Sequence, residues 1–410
     1  MLFPAQLVMA QNPVHLDECQ KWAREQHPFL KQQELYQKMS RLKLENEQVG
    51  KLPQVKLNAQ ASYQSDVTHV AISVPGVSIP TVSKDQYVMD LDVKQNIWDG
   101  GLIRAGEILE KAQDETNRQG VEVDLYKVRS QVDDLFFNSF LLQENLNILA
   151  KKQETLDAER SSMESGVKNG MVLQSDLDQI LAELIQVKQQ QIELQSDRET
   201  VLSALAILTG REVNELQDLV IDTTEVDMDG PVKRPELDLF KKQTALLAAS
   251  ANWMQKKRNP KVFGFGQAGY GRPGLNMLKN DFEPYYRVGV GLNWTVADWK
   301  TVRRTKEIVR LQQEMVKTRE QEFDRNLRIA LDRENRKIGQ LEHLLQSDRD
   351  LIGLQERITK SSASKLKNGT ITTSDYIKNL NAEMAARITY KTHVVQLEAA
   401  RIDYQTIQGK

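Results

Sequence analysis

Over most of its length this chain repeats its hydrophobic residues at the spacing of paired helices. Between Leu125 and Leu156 they recur at alternating steps of three and four, with Ser139 and Gln153 in two interrupted slots, which is the heptad pattern of a coiled coil. Because no proline interrupts this stretch, it predicts one long helix over residues 100–165, roughly 100 Å in length at 1.5 Å per residue. The same spacing over 174–209, with Gln191 and Arg198 as polar exceptions, predicts a second helix that packs antiparallel to the first.

Four shorter stretches alternate apolar and polar residues one by one, which is the period of a β-strand. They predict strands over 54–66, 86–98, 260–271 and 284–297. The third stretch departs from the rule, because Phe263 and Phe265 fall on its otherwise polar side.

This alternation has two physical interpretations. The apolar face can cover a protein core while the polar face meets bulk water, or it can face lipid while the polar face lines a wet interior. Open strand edges are not tolerated in lipid and four strands cannot close a barrel, so the membrane interpretation requires oligomerisation. Three chains with four strands each would supply twelve. The residues that would then face lipid are Val55, Leu57, Tyr63, Leu91, Val93, Val288, Val290, Leu292 and Trp294.

The whole pattern occurs twice in the chain. Pro53 and Pro260 lie 207 residues apart, and Asp99 and Asp298 lie 199 apart, so one eight-residue length change separates two copies. We expect a first repeat over 11–213, a linker over 214–234 and a second repeat over 235–410. The other predicted helices are 14–50 in the first copy and 235–258, 299–364 and 373–408 in the second. The expected fold class is therefore mainly α with a small β part, built from a duplicated unit of long antiparallel coiled-coil helices and one β-hairpin.

The turn between the paired helices carries the same residues in both copies. Lys168-Asn169-Gly170 and Lys367-Asn368-Gly369 place basic charge near the last carbonyl groups and supply Asn and Gly for a left-handed turn. Ser175-Asp176 and Ser374-Asp375 then restart the helix as a cap and a first-turn acid. Each copy therefore predicts a helical hairpin with a tight tip.

Composition and motifs exclude several classes of function. A net charge of −2 gives no basic surface for nucleic acid. The five histidines are scattered, and neither a His-Glu-x-x-His motif nor a glycine-rich phosphate loop occurs. We therefore expect no catalytic residues, no metal site and no cofactor. No apolar run approaches the length of about 18 residues that a transmembrane helix needs.

The first ten residues look like the back half of a secretory signal. Apolar side chains precede Val8-Met9-Ala10, which is a small-residue cleavage site before Gln11. We expect residues 1–10 to be the remnant of a longer signal peptide, with an ordinary apolar tail as the alternative. The single cysteine, Cys19, cannot form an internal disulfide.

Taken together, these residues resemble the TolC-type outer-membrane efflux protein family, from about Pro13 onward. The resemblance rests on Arg234-Pro235-Glu236-Leu237 opening a helix and on Asn259-Pro260 entering a strand. It rests also on Gln95-Asn96-Ile97-Trp98-Asp99-Gly100-Gly101 leading from strand to long helix, and on an aspartate six residues after the glycine of each tip. The family forms homotrimers with a twelve-stranded outer-membrane β-barrel and an α-helical periplasmic tunnel, and the resemblance implies that fold here.

The resemblance further implies a passive exit duct in the outer membrane of a Gram-negative bacterium, extending into the periplasm. Such a duct serves a tripartite efflux or type I secretion system. Its implied partners are outer-membrane lipid, a periplasmic adaptor (membrane fusion protein) and an inner-membrane pump of the RND or ABC type, with no role for nucleic acid. The two Lys-Asn-Gly tips are the implied adaptor contacts. The alternatives are a soluble trimeric coiled-coil scaffold and an enzyme with an unrecognised site.

By the same resemblance, the gate lies at the second tip. In family members acidic side chains near this tip ring the narrowed pore, and Asp375 occupies one such position. The next family acid is replaced by Lys378, so that aspartates and lysines around the pore could pair rather than repel. The alternative is that Asp375 only stabilises a helix N-terminus, since Asp176 occupies the same place in the other copy.

Overall fold

The computed structural model describes residues 13–68, 81–222, 225–228 and 230–410, so the predicted signal remnant at 1–10 lies outside the described residues. In chain order the elements are α1 (Leu16–Gln26), α2 (Phe29–Val49), β1 (Gln54–Tyr63), β2 (Asp85–Trp98), α3 (Leu102–Lys168), α4 (Gln174–Thr209), a 3₁₀ turn (Val213–Leu216), α5 (Pro235–Lys256), β3 (Lys261–Arg272), β4 (Glu283–Asn293), α6 (Thr301–Lys367) and α7 (Thr373–Gln408). The fold is mainly helical with one small antiparallel sheet, which confirms the predicted fold class.

These elements form two compact units. The helical unit comprises the described parts of Met1–Gln32, Gly120–Asp238 and Glu320–Lys410. The sheet unit comprises the described parts of Gln33–Gln119 and Leu239–Arg319.

The duplication is visible in the helix lengths and in how the helices end. Both long helices contain 67 residues and both shorter partners contain 36. Gly210 ends α4 and Gly409 ends α7, each with a left-handed backbone. At Gly409 a side chain would also collide with the backbone of Lys233, whose carbonyl carbon lies 2.5 Å from the Cβ position. Glycine is therefore required there for conformation and for space.

The prediction of one continuous helix over 14–50 was wrong. α1 ends at Gln26 and α2 begins at Phe29, because His27 has extended backbone angles (φ −68°, ψ 131°). Pro28 explains the break, since its ring crowds the preceding residue out of the helical conformation. In the second copy Pro235 is the first residue of α5, a position at which proline is well tolerated.

The core of the helical unit lies along the heptad seams. Val132 and Leu156 of α3 and Leu205 of α4 have no exposed surface. The buried Arg198 takes a polar slot in the α4 seam, where its guanidinium donates hydrogen bonds of 2.7 Å to the side chain and the carbonyl of Gln217. It thereby ties α4 to the segment that follows the 3₁₀ turn.

The sheet has the order β1-β2-β3-β4, with every neighbouring pair antiparallel. Strands β1 and β4 are its two edges, and the central β2–β3 pairing joins the two copies. Two strands are shorter than predicted: β1 ends at Tyr63 and not at 66, and β4 ends at Asn293 and not at 297. Asn293 pairs with Lys261, the first residue of β3, and Pro260 before it has no N–H to extend the ladder. The predicted strand residue Trp294 therefore lies just beyond β4.

Candidate functional site

The two hairpin tips share one backbone design. Gly170 and Gly369 both have a φ of +67°, and in each tip the next residue donates a backbone hydrogen bond of 2.9 Å to a carbonyl in the last turn of the long helix. This closes the helix with a left-handed C-terminal motif. All six predicted tip residues are exposed: Lys168, Asn169, Gly170, Lys367, Asn368 and Gly369.

The side chains that follow the two glycines differ. In the first tip Met171 and Leu173 are 75% and 69% exposed. In the second tip the equivalent positions hold Thr370 and Thr372, which are also exposed. The first tip therefore offers an apolar surface and the second a hydroxyl-bearing one.

Asp375 caps the helix on which it lies. The Thr372 hydroxyl accepts a hydrogen bond of 3.1 Å from the Asp375 backbone N–H and donates one of 2.7 Å to the Asp375 carboxylate. Hydrogen bonds from Thr372 and then the charge of Lys378 hold the pKa of Asp375 below its usual range. Asp375 and Lys378 are both exposed side chains on the first turns of α7.

The equivalent acid of the first copy has a different partner. Thr373 of α7 donates a hydrogen bond of 3.0 Å from its hydroxyl to the Asp176 carboxylate of α4. Thr373 is only 1% exposed, and Asp176 is half-buried. This bond, which we call the tip link, ties the start of one hairpin's shorter helix to the start of the other's. The sequence pattern did not indicate it, because it joins residues 197 positions apart.

Behind the tips the two hairpins share one apolar cluster. Ile180 of α4, Leu156 of α3 and Leu380 of α7 are almost fully buried in it, together with Tyr376. Burial raises the pKa of Tyr376 to about 12. The tip link therefore lies at the end of a continuous hydrophobic contact between the hairpins.

The sheet has an apolar face with exposed side chains on all four strands. The exposed large side chains of this face range from 43% at Leu91 to 77% at Tyr286. Of the predicted lipid-facing residues, Val55, Leu57, Tyr63, Val288, Val290 and Leu292 lie on this face with exposed side chains, Val93 lies there half-buried, and Trp294 is exposed beyond the strand.

On the opposite, polar face one amide of β1 bonds two carboxylates of β2. The amide nitrogen of Asn58 lies 2.9 Å from a carboxylate oxygen of Asp90 and 2.7 Å from one of Asp92. Arg287 of β4 donates a hydrogen bond of 2.8 Å to the side chain of Gln267 on β3.

Phe263 and Phe265 lie on this polar face because glycines face them across the β3–β4 pairing. Phe263 pairs with Gly291 and Phe265 with Gly289. A Cβ atom at either glycine would fall within 2.7 Å of the facing ring. Each ring therefore covers the space left by a missing side chain, an arrangement that restores packing in glycine-containing strands.

The turns from the sheet into the long helices share an unusual backbone. Gly100-Gly101 precedes α3 with φ values of +68° and +83°, and Trp299-Lys300 precedes α6 with values of +49° and +66°. The preceding aspartates, Asp99 and Asp298, accept backbone hydrogen bonds that start each helix. The second copy thus keeps the left-handed conformation with Trp299 and Lys300, two residues that disfavour it. The Trp299 side chain is 85% exposed.

The described residues include potential metal ligands and one thiol. Among them no group of three or more His, Cys, Asp or Glu side chains is placed to hold a metal ion. Cys19 is fully buried, and burial raises the pKa of its thiol to about 12. No described helix is both long enough and apolar enough to cross a membrane.

Comparison with known proteins gives a consistent result. The family model for outer membrane efflux protein matches residues 21–211. No curated protein sequence gives a match. Among solved structures, the CmeC outer membrane channel of Campylobacter jejuni is similar with a TM-score of 0.69 at 16% identity, over 96% of this chain and 85% of that one. The outer membrane protein VceC of Vibrio cholerae gives 0.69 at 12% identity, over 96% of each chain. The open state of the Neisseria gonorrhoeae MtrE outer membrane channel gives 0.65 at 14% identity, over 96% of this chain and 88% of that one.

Proposed function

We propose, from the match of residues 21–211 to the family model for outer membrane efflux protein, that this chain is the outer-membrane exit duct of an efflux or secretion system. In this role the protein is a channel and not an enzyme. It conducts its cargo passively from the periplasm to the exterior, and the energy for transport comes from a pump elsewhere.

The observation that carries the proposal is the exposed apolar face of the sheet. Side chains such as Tyr286, Val288 and Val290 are more than 70% exposed, although each would be stabilised by leaving water. The opposite face carries charged and amide side chains, which suit a wet interior. A sheet that is apolar on one face and polar on the other fits a wall between lipid and a water-filled lumen.

The open edges of the sheet support a closed assembly of three copies. With four strands from each chain, three chains supply a twelve-stranded barrel. The helices that flank the edges carry exposed apolar stripes at heptad spacing. In α2 the stripe contains Leu35, Met39 and Leu42, and in α6 it contains Ile308, Leu311 and Met315. We infer that the α2 stripe of one subunit packs on the α6 stripe of its neighbour, while β1 pairs with β4.

The hairpin tips support docking to a periplasmic partner. The exposed Lys-Asn-Gly tips are closed by hydrogen-bonded left-handed turns and so present their side chains at the very end of each hairpin. We propose that these tips contact a periplasmic adaptor protein, which joins the duct to an inner-membrane pump of the RND or ABC type. Asp375 and Lys378 are exposed next to the second tip, and we propose that their charges surround the pore there while Asp375 also caps α7.

Charge placed on either face of the sheet tests the duct. Val288→Arg puts a cation on the apolar face, which costs about 2–4 kcal/mol at the middle of a bilayer. We expect this variant to be lost from the outer-membrane fraction. Gln60→Arg adds the same charge to the polar face of β1 and should leave membrane insertion and bilayer conductance intact. Equal loss of both variants, or normal insertion of both, would contradict the assignment of the two faces.

Trimer assembly has its own test. Met39→Lys places a charge in the α2 stripe, whereas Gln37→Lys places it at an exposed polar position of the same helix. Only the first should reduce the heat-modifiable trimer on gels of outer membranes. The alternative, a soluble coiled-coil scaffold, predicts that the purified protein stays in solution without detergent and gives no conductance in bilayers.

A further inference from the structure

The polar face of the sheet carries an aromatic and cationic cluster at the end of the strands nearest the helices. The ring centres of Phe263 and Phe265 are 6.3 Å apart, and the Lys94 ammonium nitrogen lies 3.9 Å from the centre of the Phe263 ring. We call these three residues the Lys94 cluster.

The rings of the cluster are held in place before any ligand arrives. Each phenyl ring lies over a glycine of β4, so neither faces a bulky partner side chain across the strand pair. Both phenylalanines remain only half-buried. They therefore offer a fixed aromatic surface to the space in front of the polar face, where stacking costs little conformational entropy.

The charge of the cluster is positive and unpaired. Among the described residues no carboxylate forms an ion pair with Lys94, whose ammonium group instead lies over the Phe263 ring. The carboxylates of Asp90 and Asp92 on the same strand accept hydrogen bonds from the Asn58 amide and not from Lys94. A ligand that complements the cluster would thus carry a negative charge beside a planar aromatic group.

We propose that the Lys94 cluster is a binding station for aromatic anions, such as arene carboxylates and sulfonates, on their way through the duct. The proposal rests on the proposed function, because the polar face must line the lumen. In the trimer the station would occur three times around one level of the barrel. Stacking on Phe265 and charge pairing with Lys94 would each slow the passage of such a molecule.

Current block through the full-length trimer in planar bilayers tests the station. The probes are 1-naphthoate and its saturated analogue decahydro-1-naphthoate, which have the same charge and similar size. Aromatic pairs contribute about 0.5–1.5 kcal/mol beyond area burial, and about 1.4 kcal/mol corresponds to tenfold. We therefore expect 1-naphthoate to block for about twofold to tenfold longer than the saturated analogue.

Two changes in the cluster should have different effects. Phe263→Leu with Phe265→Leu should shorten the naphthoate blocks to the length of the saturated analogue and leave the analogue unchanged. Lys94→Gln should shorten the blocks by both anions. Two matched changes elsewhere on the polar face, Tyr285→Leu and Lys56→Gln, should leave both probes unchanged.

The outcomes separate the station from the duct. A conducting trimer that does not distinguish the two probes, or that keeps the distinction in the double leucine variant, would overturn the station and leave the duct intact. An effect of Tyr285→Leu as large as that of the cluster variants would also overturn it, because the binding would not be local. A protein that forms no conducting trimer would remove the duct and the station together.

Discussion

The tip link gives the sharpest prediction about gating. Thr373 and Asp176 belong to different hairpins, and we expect these hairpins to separate when the pore at the tips widens. Thr373→Val removes the hydroxyl and keeps the shape of a side chain that is only 1% exposed. The substitution should destabilise the closed state, which contains this hydrogen bond. It should not change the stability of an open state in which the two residues have separated.

The geometry sets the size of the effect. A hydrogen bond to a charged group contributes about 1.5–3 kcal/mol. Asp176 is half-buried, so water can replace part of the lost bond, and we take the lower end, about 1.5 kcal/mol per subunit. This shifts the closed-to-open equilibrium of one subunit by roughly tenfold. If the three subunits open together, the same change amounts to about 4.5 kcal/mol and roughly a thousandfold.

Single-channel recording of the purified trimer measures this shift as open probability and as the occupancy of high-conductance levels. Thr370→Val is the matched control. The Thr370 hydroxyl donates a hydrogen bond of 3.0 Å to the Lys365 carbonyl within its own hairpin. The control makes the same chemical change at the same tip but leaves the contact between hairpins untouched, so its open probability should match that of the parent protein.

A double-mutant cycle decides whether the effect belongs to the pair. Asp176→Ala should raise the open probability as Thr373→Val does, and the double variant should be no more open than either single variant. Additive effects would show that the two residues act separately. An unchanged open probability in both single variants would refute the reasoning from the tip link.

Three further predictions concern single sites. Asp375→Asn should lower the cation selectivity obtained from reversal potentials in a salt gradient, and unchanged selectivity would leave Asp375 as a helix cap only. Lys300→Gly should raise the apparent melting temperature in detergent and Gly101→Lys should lower it. The reason is that a left-handed backbone costs a residue other than glycine about 1–2 kcal/mol. Melting temperatures equal to that of the parent protein would contradict this conformational cost. Burial raises the pKa of Asp133 to about 6, compared with about 3.9 in the unfolded chain. Protonation of this carboxyl therefore stabilises the folded protein fully below about pH 3.9, and that contribution is lost as the pH rises through about 6. Asp133→Asn should therefore stabilise the protein by about 3 kcal/mol at pH 8 and hardly at pH 4, and an equal gain in thermal stability at both pH values would count against it.

The long helices were predictable because their signals are local and repeated. A heptad seam fixes which face of α3 is buried wherever the partner helix lies, and Val132 and Leu156 are indeed fully buried. The break at Pro28 was also readable, since the residue before a proline avoids the helical conformation. The continuous helix 14–50 failed because apolar spacing was given more weight than this local rule.

The place of Phe263 and Phe265 needed information that no single segment contains. Their rings are tolerated on the polar face because Gly291 and Gly289 lie opposite them, and that pairing depends on the β3–β4 register. Likewise, the left-handed Trp299-Lys300 pair follows from Gly100-Gly101 only once the two copies are aligned at an offset of 199 residues. In both cases the missing information was the partner segment and not a further motif.

The two tip aspartates show why equal positions in a duplicated chain need not have equal roles. Asp375 follows Thr372, whose hydroxyl can exchange hydrogen bonds with it, so this acid is occupied in the cap of its own helix. Asp176 follows Leu173 at the equivalent position, which has no side-chain oxygen, so the carboxylate can accept from Thr373 of the other copy. The exchange of Leu173 for Thr372, together with that of Met171 for Thr370, makes the first tip apolar and the second polar. The residues around each tip therefore decide which aspartate forms a hydrogen bond across the hairpins, and they give the two tips different surfaces for a partner protein.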